Sequence, residues 1–211
     1  MYNSQFKIKF FKFIYGSILI QRAWQKMLSG RRLDVIDPSP LDIEIGDIAH
    51  GLAFQARWNG QTKGDFVFSV ANHSILVWNI FSIENPKIEK KWQLVSLLHD
   101  APEYVIGDLI SPVKKEVGSS YINLEKKLQE AIHIRFGLPA LIPNKIKSKI
   151  KNADRKAAWI EATKIAGFNK KEANKIFLEP DEKILKKCKI ILKNPLKSRE
   201  EFLSIYNNLD Q

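Results

Sequence analysis

The stretch from residue 69 to residue 81 constrains the fold more than any other part of this sequence. Read as a helix that begins after Ser69, a favourable capping residue, it carries apolar side chains around most of its circumference. These side chains are Val70, Ile75, Leu76, Val77, Trp78 and Ile80. A helix that is apolar on nearly all sides must be surrounded by other elements. The sequence therefore predicts a central buried helix, and His73 lies on it.

Most of the remaining chain also shows the spacing of apolar residues that is typical of helices. Helices are predicted over residues 17–29, 41–54, 89–101, 121–136, 144–166, 181–192 and 198–209. Gly30 is interpreted as the C-cap of the first of these, and Ser198 with Glu201 as a capping box that starts the last. Strand patterns are scarce, so the predicted fold class is all-α.

The length of 211 residues fits one domain with extensions. We divide the chain into an N-terminal helix and extended loop (residues 1–40), a core (residues 41–170) and C-terminal helices packed on that core (residues 171–211). An apolar run at residues 10–20 is too short to span a bilayer, so no membrane partner is predicted. Cys188 is the one cysteine, which fits a reducing compartment, and we expect a cytoplasmic protein.

The net charge of +11 favours an anionic partner such as a nucleotide, a nucleic acid or an acidic lipid. Much of the excess is lysine between residues 87 and 194, where isoleucine and asparagine are also abundant. A general compositional bias explains that mixture as well as binding does. The charge therefore does not by itself indicate a nucleic acid as the partner, and we favour a small-molecule ligand.

Four side chains supply the ligands that a divalent metal prefers. His99 and Asp100 follow an apolar run, while His73 and Asp154 lie on two other predicted helices. Taken singly, a histidine here could be a core residue with satisfied hydrogen bonds, and Asp154 could form a surface ion pair with Arg155. Taken together, two imidazoles and two carboxylates can hold one ion, and a carboxylate on an apolar face needs such a partner. The ligand set is compatible with Mn, Co, Mg, Zn or Fe.

The sequence over residues 99–114, HDAPEYVIGDLISPVK, is more specific than the His-Asp pair alone. It resembles the HD-domain metal-dependent phosphohydrolase superfamily, and within it the bacterial 5′-deoxynucleotidase branch. In that branch a His-Asp pair is followed by Glu, then Gly-Asp, then Pro-Val-Lys. Upstream, Arg57 and Trp58 precede His73 as an Arg-Trp pair does there, although Asn72 stands where the branch usually has Glu. The resemblance covers about residues 48–162.

The resemblance implies a helical bundle of the HD-domain type with extra N- and C-terminal helices and one divalent metal ion in its interior. It implies four metal ligands, which are His73, His99, Asp100 and Asp154. It also suggests a homodimer. His133 has no place in this pattern, and we interpret it as structural because it lies beside apolar residues on an amphipathic helix.

Five further residues receive roles through the same resemblance. Glu103 would act as the general acid or base, and Asp108 would organise the substrate or a water molecule. Arg57 would contact phosphate or sugar, and Trp58 would narrow the sugar pocket and disfavour a 2′-hydroxyl. Lys114 would contact phosphate. An equally good interpretation is that Lys114 is simply one of the many solvated lysines of this chain.

The predicted function is the hydrolysis of phosphate from small nucleotides, with deoxynucleoside 5′-monophosphates as the first choice of substrate. One alternative is a triphosphohydrolase of deoxynucleoside triphosphates. Another is a protein without catalysis that senses nucleotides or binds nucleic acid through a vestigial site.

Overall fold

Within the computed structural model, residues 23–210 are described, and they form ten α-helices, two short 3-10 helices (Pro40–Asp42 and Trp58–Gly60) and one short antiparallel hairpin. The helices are α1 (Ile45–Phe54), α2 (Val70–Glu84), α3 (Lys90–Leu97), α4 (Glu103–Ile106), α5 (Ser111–Val117), α6 (Ser119–Arg135), α7 (Asn144–Lys164), α8 (Lys170–Ile176), α9 (Glu182–Lys187) and α10 (Pro195–Leu209). The all-α prediction is confirmed.

The helix predicted over residues 17–29 is wrong over residues 23–29, the part of it that the structure describes. Residues 17–22 lie outside the described residues, and the chain after them forms β1 (Trp24–Lys26), which pairs with β2 (Arg32–Asp34). Gly30 is part of the turn between these strands, with a φ of +91° that suits glycine, and does not cap a helix. The carboxylate of Asp47 on α1 accepts hydrogen bonds from the backbone N–H and hydroxyl of Ser29, which ties this turn to the helical core.

Helix α2 is central, as predicted. At its start the Ser69 hydroxyl accepts a hydrogen bond from the backbone N–H of Asn72 at 3.2 Å. The helix packs against α3 and α7 and also contacts α1 and α10. Its side chains include Val77 and Ile80, which are fully buried. Because other helices surround α2, any polar side chain on it must find a partner inside the protein.

The segment that carries His99 and Asp100 is a turn, whereas the sequence predicted a helix through residue 101. Helix α3 ends at Leu97, and the chain turns through residues 98–102 before α4 begins. Pro102 accounts for the early end, because in a continuous helix its ring would clash with the carbonyl group of Leu98, four residues earlier. The turn places His99 and Asp100 between the end of α3 and the start of α4.

Helix α4 rests directly on α1 at Gly51. A Cβ atom added to Gly51 would lie 2.7 Å from the backbone oxygen of Tyr104 and 2.8 Å from its Cβ. Only glycine permits so close an approach of the two backbones. This contact fixes the position of α4 and therefore of Glu103, the first residue of α4.

The C-terminal helices differ from the prediction in their ends. Helix α10 begins at Pro195, with Asn194 as its cap, so Ser198 lies inside the helix and the predicted capping box is wrong. Helix α9 ends at Lys187, five residues before the predicted end. A capping box that the sequence analysis missed, Asn169 with Glu172, starts α8. No helix among residues 23–210 is both long enough and apolar enough to cross a bilayer.

Candidate metal centre

Four side chains from three parts of the chain meet between α2, α7 and the turn after α3. We call His73, His99, Asp100 and Asp154 the His–Asp cluster. One ligand atom each of His73, His99 and Asp154 lies within 4.8 Å of the others. Oδ2 of Asp100 lies 3.4 Å from Nε2 of His73 and 3.2 Å from Nε2 of His99, and Oδ1 of Asp154 lies 3.3 Å from Nε2 of His73. His73, His99 and Asp154 could therefore hold a metal ion, with the Asp100 carboxylate beside them.

The two imidazole rings are fixed so that both Nε2 atoms face the carboxylates. Nδ1 of His73 lies 2.6 Å from Oε1 of Glu161, and Nδ1 of His99 lies 3.0 Å from the backbone oxygen of Ser96. Both Nε2 atoms are buried and have no hydrogen-bond partner. Metal-binding histidines are typically held in this way, with the second nitrogen engaged by a carboxylate or carbonyl oxygen. The orphaned Nε2 atoms therefore fit a metal ligand set.

The charged groups of the cluster and its surroundings shift one another's pKa values. Burial and Arg57 oppose the protonation of His73, but Glu161, Asp100 and Asp154 outweigh both and raise its pKa well above the ordinary value. Burial opposes the charged form of Asp100, yet His99 and His73 hold its pKa well below the usual range. Burial opposes the charged form of Asp154 as well, and its pKa is lowered mainly by the close approach of Oδ1 to His73. The site thus favours additional positive charge between the rings and the carboxylates.

The cluster is reachable from solvent on its carboxylate side. The His73 side chain is completely buried, whereas the side chains of Asp100 and Asp154 are 23% and 18% exposed. The exposed amine of Lys151 lies 2.7 Å from Oδ2 of Asp154, the oxygen that does not face His73. A small ligand can therefore approach the cluster from the side of Asp100 and Asp154.

Glu161 is a residue of this site that the sequence analysis missed. Its fully buried carboxylate contacts Nδ1 of His73 through Oε1 and accepts hydrogen bonds from Arg57 Nε at 3.2 Å and Trp58 Nε1 at 2.9 Å through Oε2. Burial raises its pKa, but Arg57 and His73 outweigh that effect and lower it to about 2. A signal was present in the sequence. Glu161 stands seven residues after Asp154, on the same face of α7 and beside Ala157 and Ala158.

Arg57 lies within a set of carboxylates. Besides its bond to Glu161, its Nη1 atom is 3.6 Å from Oδ2 of Asp108 and 3.8 Å from Oδ2 of Asp100. Burial lowers the pKa of Arg57, but the three carboxylates outweigh it and raise the pKa. The backbone N–H of Arg57 donates to the oxygen of Phe68, which holds this segment beside the start of α2. Its predicted contact with phosphate or sugar stays a prediction.

Trp58 adopts an unusual backbone conformation beside the cluster. Its φ is +57°, and that of Asn59 is +50°, a region that bulky residues rarely occupy. The indole ring donates to Glu161 and packs against the rings of Phe168 and Phe177. These contacts offset the strain, which is of the kind found at functional sites. Whether Trp58 also narrows a sugar pocket stays a prediction.

Glu103 and Asp108 lie at the edge of the cluster. Glu103 is 3% exposed, and its Oε2 atom has no hydrogen-bond partner. Burial raises its pKa to about 9, and the charges of Asp100 and Asp108 act in the same direction. Burial also raises the pKa of Asp108, against the effect of Arg57. A carboxyl group that keeps its proton at neutral pH can serve as a proton donor.

Lys114 on α5 approaches the same carboxyl group. Its amine lies 3.9 Å from Oε1 of Glu103 and 2.8 Å from Oε1 of Glu125 on α6. The amine also stands over the ring of Tyr121, 5.5 Å from its centroid. The lysine is therefore partnered and is not a freely solvated side chain. Its predicted contact with phosphate stays a prediction.

One known protein aligns with most of this chain. No family model matches it. Over 190 residues the chain is 54% identical to the uncharacterized protein RCAP_rcc00048 of Rhodobacter capsulatus. The aligned region covers 90% of this chain and 97% of that protein. Over 122 residues it is 27% identical to the uncharacterized protein YfdR of Escherichia coli K12. That alignment covers 58% of this chain and 63% of YfdR.

Proposed function

The chain belongs to the same protein family as RCAP_rcc00048 of Rhodobacter capsulatus, and we propose that it is a metal-dependent phosphohydrolase that acts on small nucleotides. The observation that carries this proposal is the pair of buried, unpartnered Nε2 atoms of His73 and His99 that face two carboxylates. The resemblance of residues 99–114 to HD-domain phosphohydrolases supports the same reaction class.

His73, His99, Asp100 and Asp154 would hold the ion. Two nitrogen and two oxygen ligands leave positions open for a substrate oxygen and water on an ion of higher coordination number. When bound, a divalent cation supplies Lewis acidity toward a phosphoryl oxygen and toward a water molecule. Glu161 keeps the His73 ring oriented and its Nε2 atom available to the ion.

Glu103 is the proposed proton donor to the leaving nucleoside oxygen. Its raised pKa keeps the proton on the carboxyl group near neutral pH, and its Oε2 atom has no competing partner. Lys114 lies beside it and would attract the phosphate group. The Lys114 amine would also stabilise the carboxylate that Glu103 becomes after it has given up its proton.

Deoxynucleoside 5′-monophosphates are the proposed substrates, on the strength of the resemblance. Arg57 and Trp58 both donate hydrogen bonds to Glu161, which supports the proposal that they contact the sugar or phosphate of the substrate. A narrow sugar pocket at Trp58 would disfavour the 2′-hydroxyl of a ribonucleotide.

The test is the release of inorganic phosphate from a panel of deoxynucleoside and ribonucleoside monophosphates with added Mn, Co or Mg. The native chain is compared with Asp100→Ala, and with Asp65→Ala, a matched change at an exposed aspartate outside the cluster. We expect turnover in the native chain and in Asp65→Ala, and loss of both turnover and bound metal in Asp100→Ala. The proposal fails if metal-loaded native protein releases phosphate from none of the panel. Release of inorganic triphosphate from deoxynucleoside triphosphates would instead show the triphosphohydrolase.

A further inference from the structure

One lysine lies at the solvent-exposed edge of the His–Asp cluster. Lys151 stands three residues before Asp154 on α7, on the same side of that helix, and its amine is 2.7 Å from Oδ2 of Asp154. The other oxygen of Asp154, Oδ1, faces Nε2 of His73. Lys151 therefore contacts a proposed metal ligand from outside the cluster, on the side from which a small ligand can approach.

The cations beside the cluster differ in how firmly they are held. Among the lysines and arginines of residues 23–210, Arg57 forms an ion pair with Asp100, and Lys151 forms one with Asp154. The Arg57 side chain is 13% exposed and is shared with Asp108 and Glu161. The Lys151 side chain is 69% exposed, and Asp154 is the one carboxylate that it contacts in this part of the chain. Arg57 is thus committed to the interior, whereas Lys151 is free to turn toward solvent.

The contact between Lys151 and Asp154 is easily exchanged for another. An exposed ion pair between neighbouring turns of a helix contributes little to stability, because water solvates both charges well. If Asp154 binds a divalent cation, its negative charge is taken up and the lysine amine is repelled by the ion. The flexible four-carbon stem of the lysine keeps the released amine close to the entrance of the cluster.

A phosphate group at this entrance needs a positive charge beside it. The fully buried Glu161 and the carboxylates of Asp100 and Asp154 use up much of the charge that Arg57 and a divalent ion supply. The amine of Lys114, on the Glu103 side, is already 2.8 Å from Oε1 of Glu125. Lys151 is the cation that metal binding would leave without a carboxylate, and lysine forms strong charge-assisted hydrogen bonds with phosphate.

We propose that Lys151 binds the phosphate group of the substrate and exchanges Asp154 for phosphate when the metal site is filled. The inference rests on the proposed function, because it assigns a binding residue to the same site. The exchange couples the two ligands: metal at the cluster strengthens phosphate binding, and phosphate strengthens metal binding by the same factor.

The experiment is calorimetric titration of the full-length chain with inorganic phosphate at a saturating concentration of magnesium. The native chain is compared with Lys151→Met, with Lys151→Arg, and with Lys147→Met, a matched change at an exposed lysine one turn earlier on α7. We expect Lys151→Met to weaken phosphate binding about 3- to 10-fold, through the loss of a charge-assisted hydrogen bond. Lys151→Arg keeps the charge and should keep most of the affinity, and Lys147→Met should bind phosphate as the native chain does. The native chain should bind phosphate more weakly when a chelator replaces magnesium.

Three results of the titration would overturn the inference. The first is equal phosphate affinity in the native chain and Lys151→Met. The second is equal weakening by Lys151→Met and Lys147→Met, which would indicate a general effect of surface charge. The third is a native chain that binds no phosphate at millimolar concentration with magnesium present. Lys151 is exposed, so its substitution by methionine leaves the buried core untouched.

Metal affinity, measured by chelator competition without phosphate, separates this role from one in orienting Asp154. We expect Lys151→Met to bind metal at least as tightly as the native chain, because a competing cation has been removed. A loss of metal affinity with unchanged phosphate affinity would show that Lys151 only orients Asp154. Failure of the proposed function gives a different result: the native chain would bind metal and phosphate as expected, yet release phosphate from no nucleotide.

Discussion

Nδ1 of His73 on α2 lies 2.6 Å from Oε1 of Glu161 on α7, and both side chains are fully buried. The contact joins residues 88 positions apart in sequence. It orients the imidazole so that its other nitrogen faces Asp100 and Asp154. Glu161 thereby supports the His–Asp cluster without belonging to it.

Glu161→Gln tests this support. The amide keeps the size of the side chain but loses the negative charge that strengthens the hydrogen bond to His73, so we expect metal affinity to fall about 10- to 100-fold. Competition with a chelator of known affinity measures the change. Glu182→Gln, at an exposed glutamate on α9, is the matched control and should bind metal as the native chain does. Unchanged affinity in Glu161→Gln would contradict the role that we give to Glu161.

Glu103→Gln tests the proposed proton donor. The variant cannot donate the carboxyl proton, so we expect turnover to fall by about 10²- to 10⁴-fold while metal affinity is retained. Phosphate release and chelator competition are measured on the same preparation. Glu116→Gln, on the exposed surface of α5, should be fully active. If Glu103→Gln keeps native turnover, another group transfers the proton.

Gly51→Ala tests the contact that fixes α4. The added methyl group would meet the Tyr104 backbone at 2.7 Å, and because backbone cannot rotate away, α1 and α4 must separate. We expect a loss of about 1–3 kcal/mol in the free energy of unfolding, measured by denaturant titration. Gly46→Ala on the same helix is the control, since its new Cβ would have no heavy atom within 4 Å. It should be neutral or stabilising by about 0.5–1 kcal/mol. Equal effects of the two changes would show that the close approach is not what matters.

His133 should make stability depend on pH, away from the metal centre. Burial lowers its pKa below the ordinary value of 6.5. Its neutral ring is held between Gln129, 2.9 Å from Nε2, and the backbone oxygen of Pro139, 3.1 Å from Nδ1. The unfolded chain therefore binds a proton more readily than the folded chain does. The stabilisation is fully present above about pH 6.5 and is lost as the pH falls below it.

Denaturant unfolding of the native chain and His133→Gln between pH 5 and pH 8 measures this dependence. We expect the native chain to lose more stability toward pH 5 than the variant does, because the variant has no imidazole to protonate at residue 133. Parallel pH profiles for the two chains would mean that His133 does not contribute. The His–Asp cluster is the same in both chains, so its own titration cancels in the comparison.

Local patterns in the sequence were enough to predict much of the fold. The Ser69 cap and the apolar circumference of α2 predicted its start and its central place, because both depend only on residues within a few turns of helix. The pairing of β1 with β2 was missed, because strand pairing depends on residues that lie ten positions apart in this hairpin, such as Trp24 and Asp34. The early end of α3 was also missed, although Pro102 gave a local reason for it.

The sequence by itself determined which side chains are available to bind a metal ion. It supplies two imidazoles and two carboxylates, at His73, His99, Asp100 and Asp154. Only the tertiary structure decided that they meet, because their convergence depends on how α2, α7 and the turn after α3 pack. It also decided that Glu161 orients His73 and that Lys114 is held by Glu125. The physical reason is that a local pattern fixes the face of a helix on which a side chain lies, whereas its partner depends on the packing of elements distant in sequence.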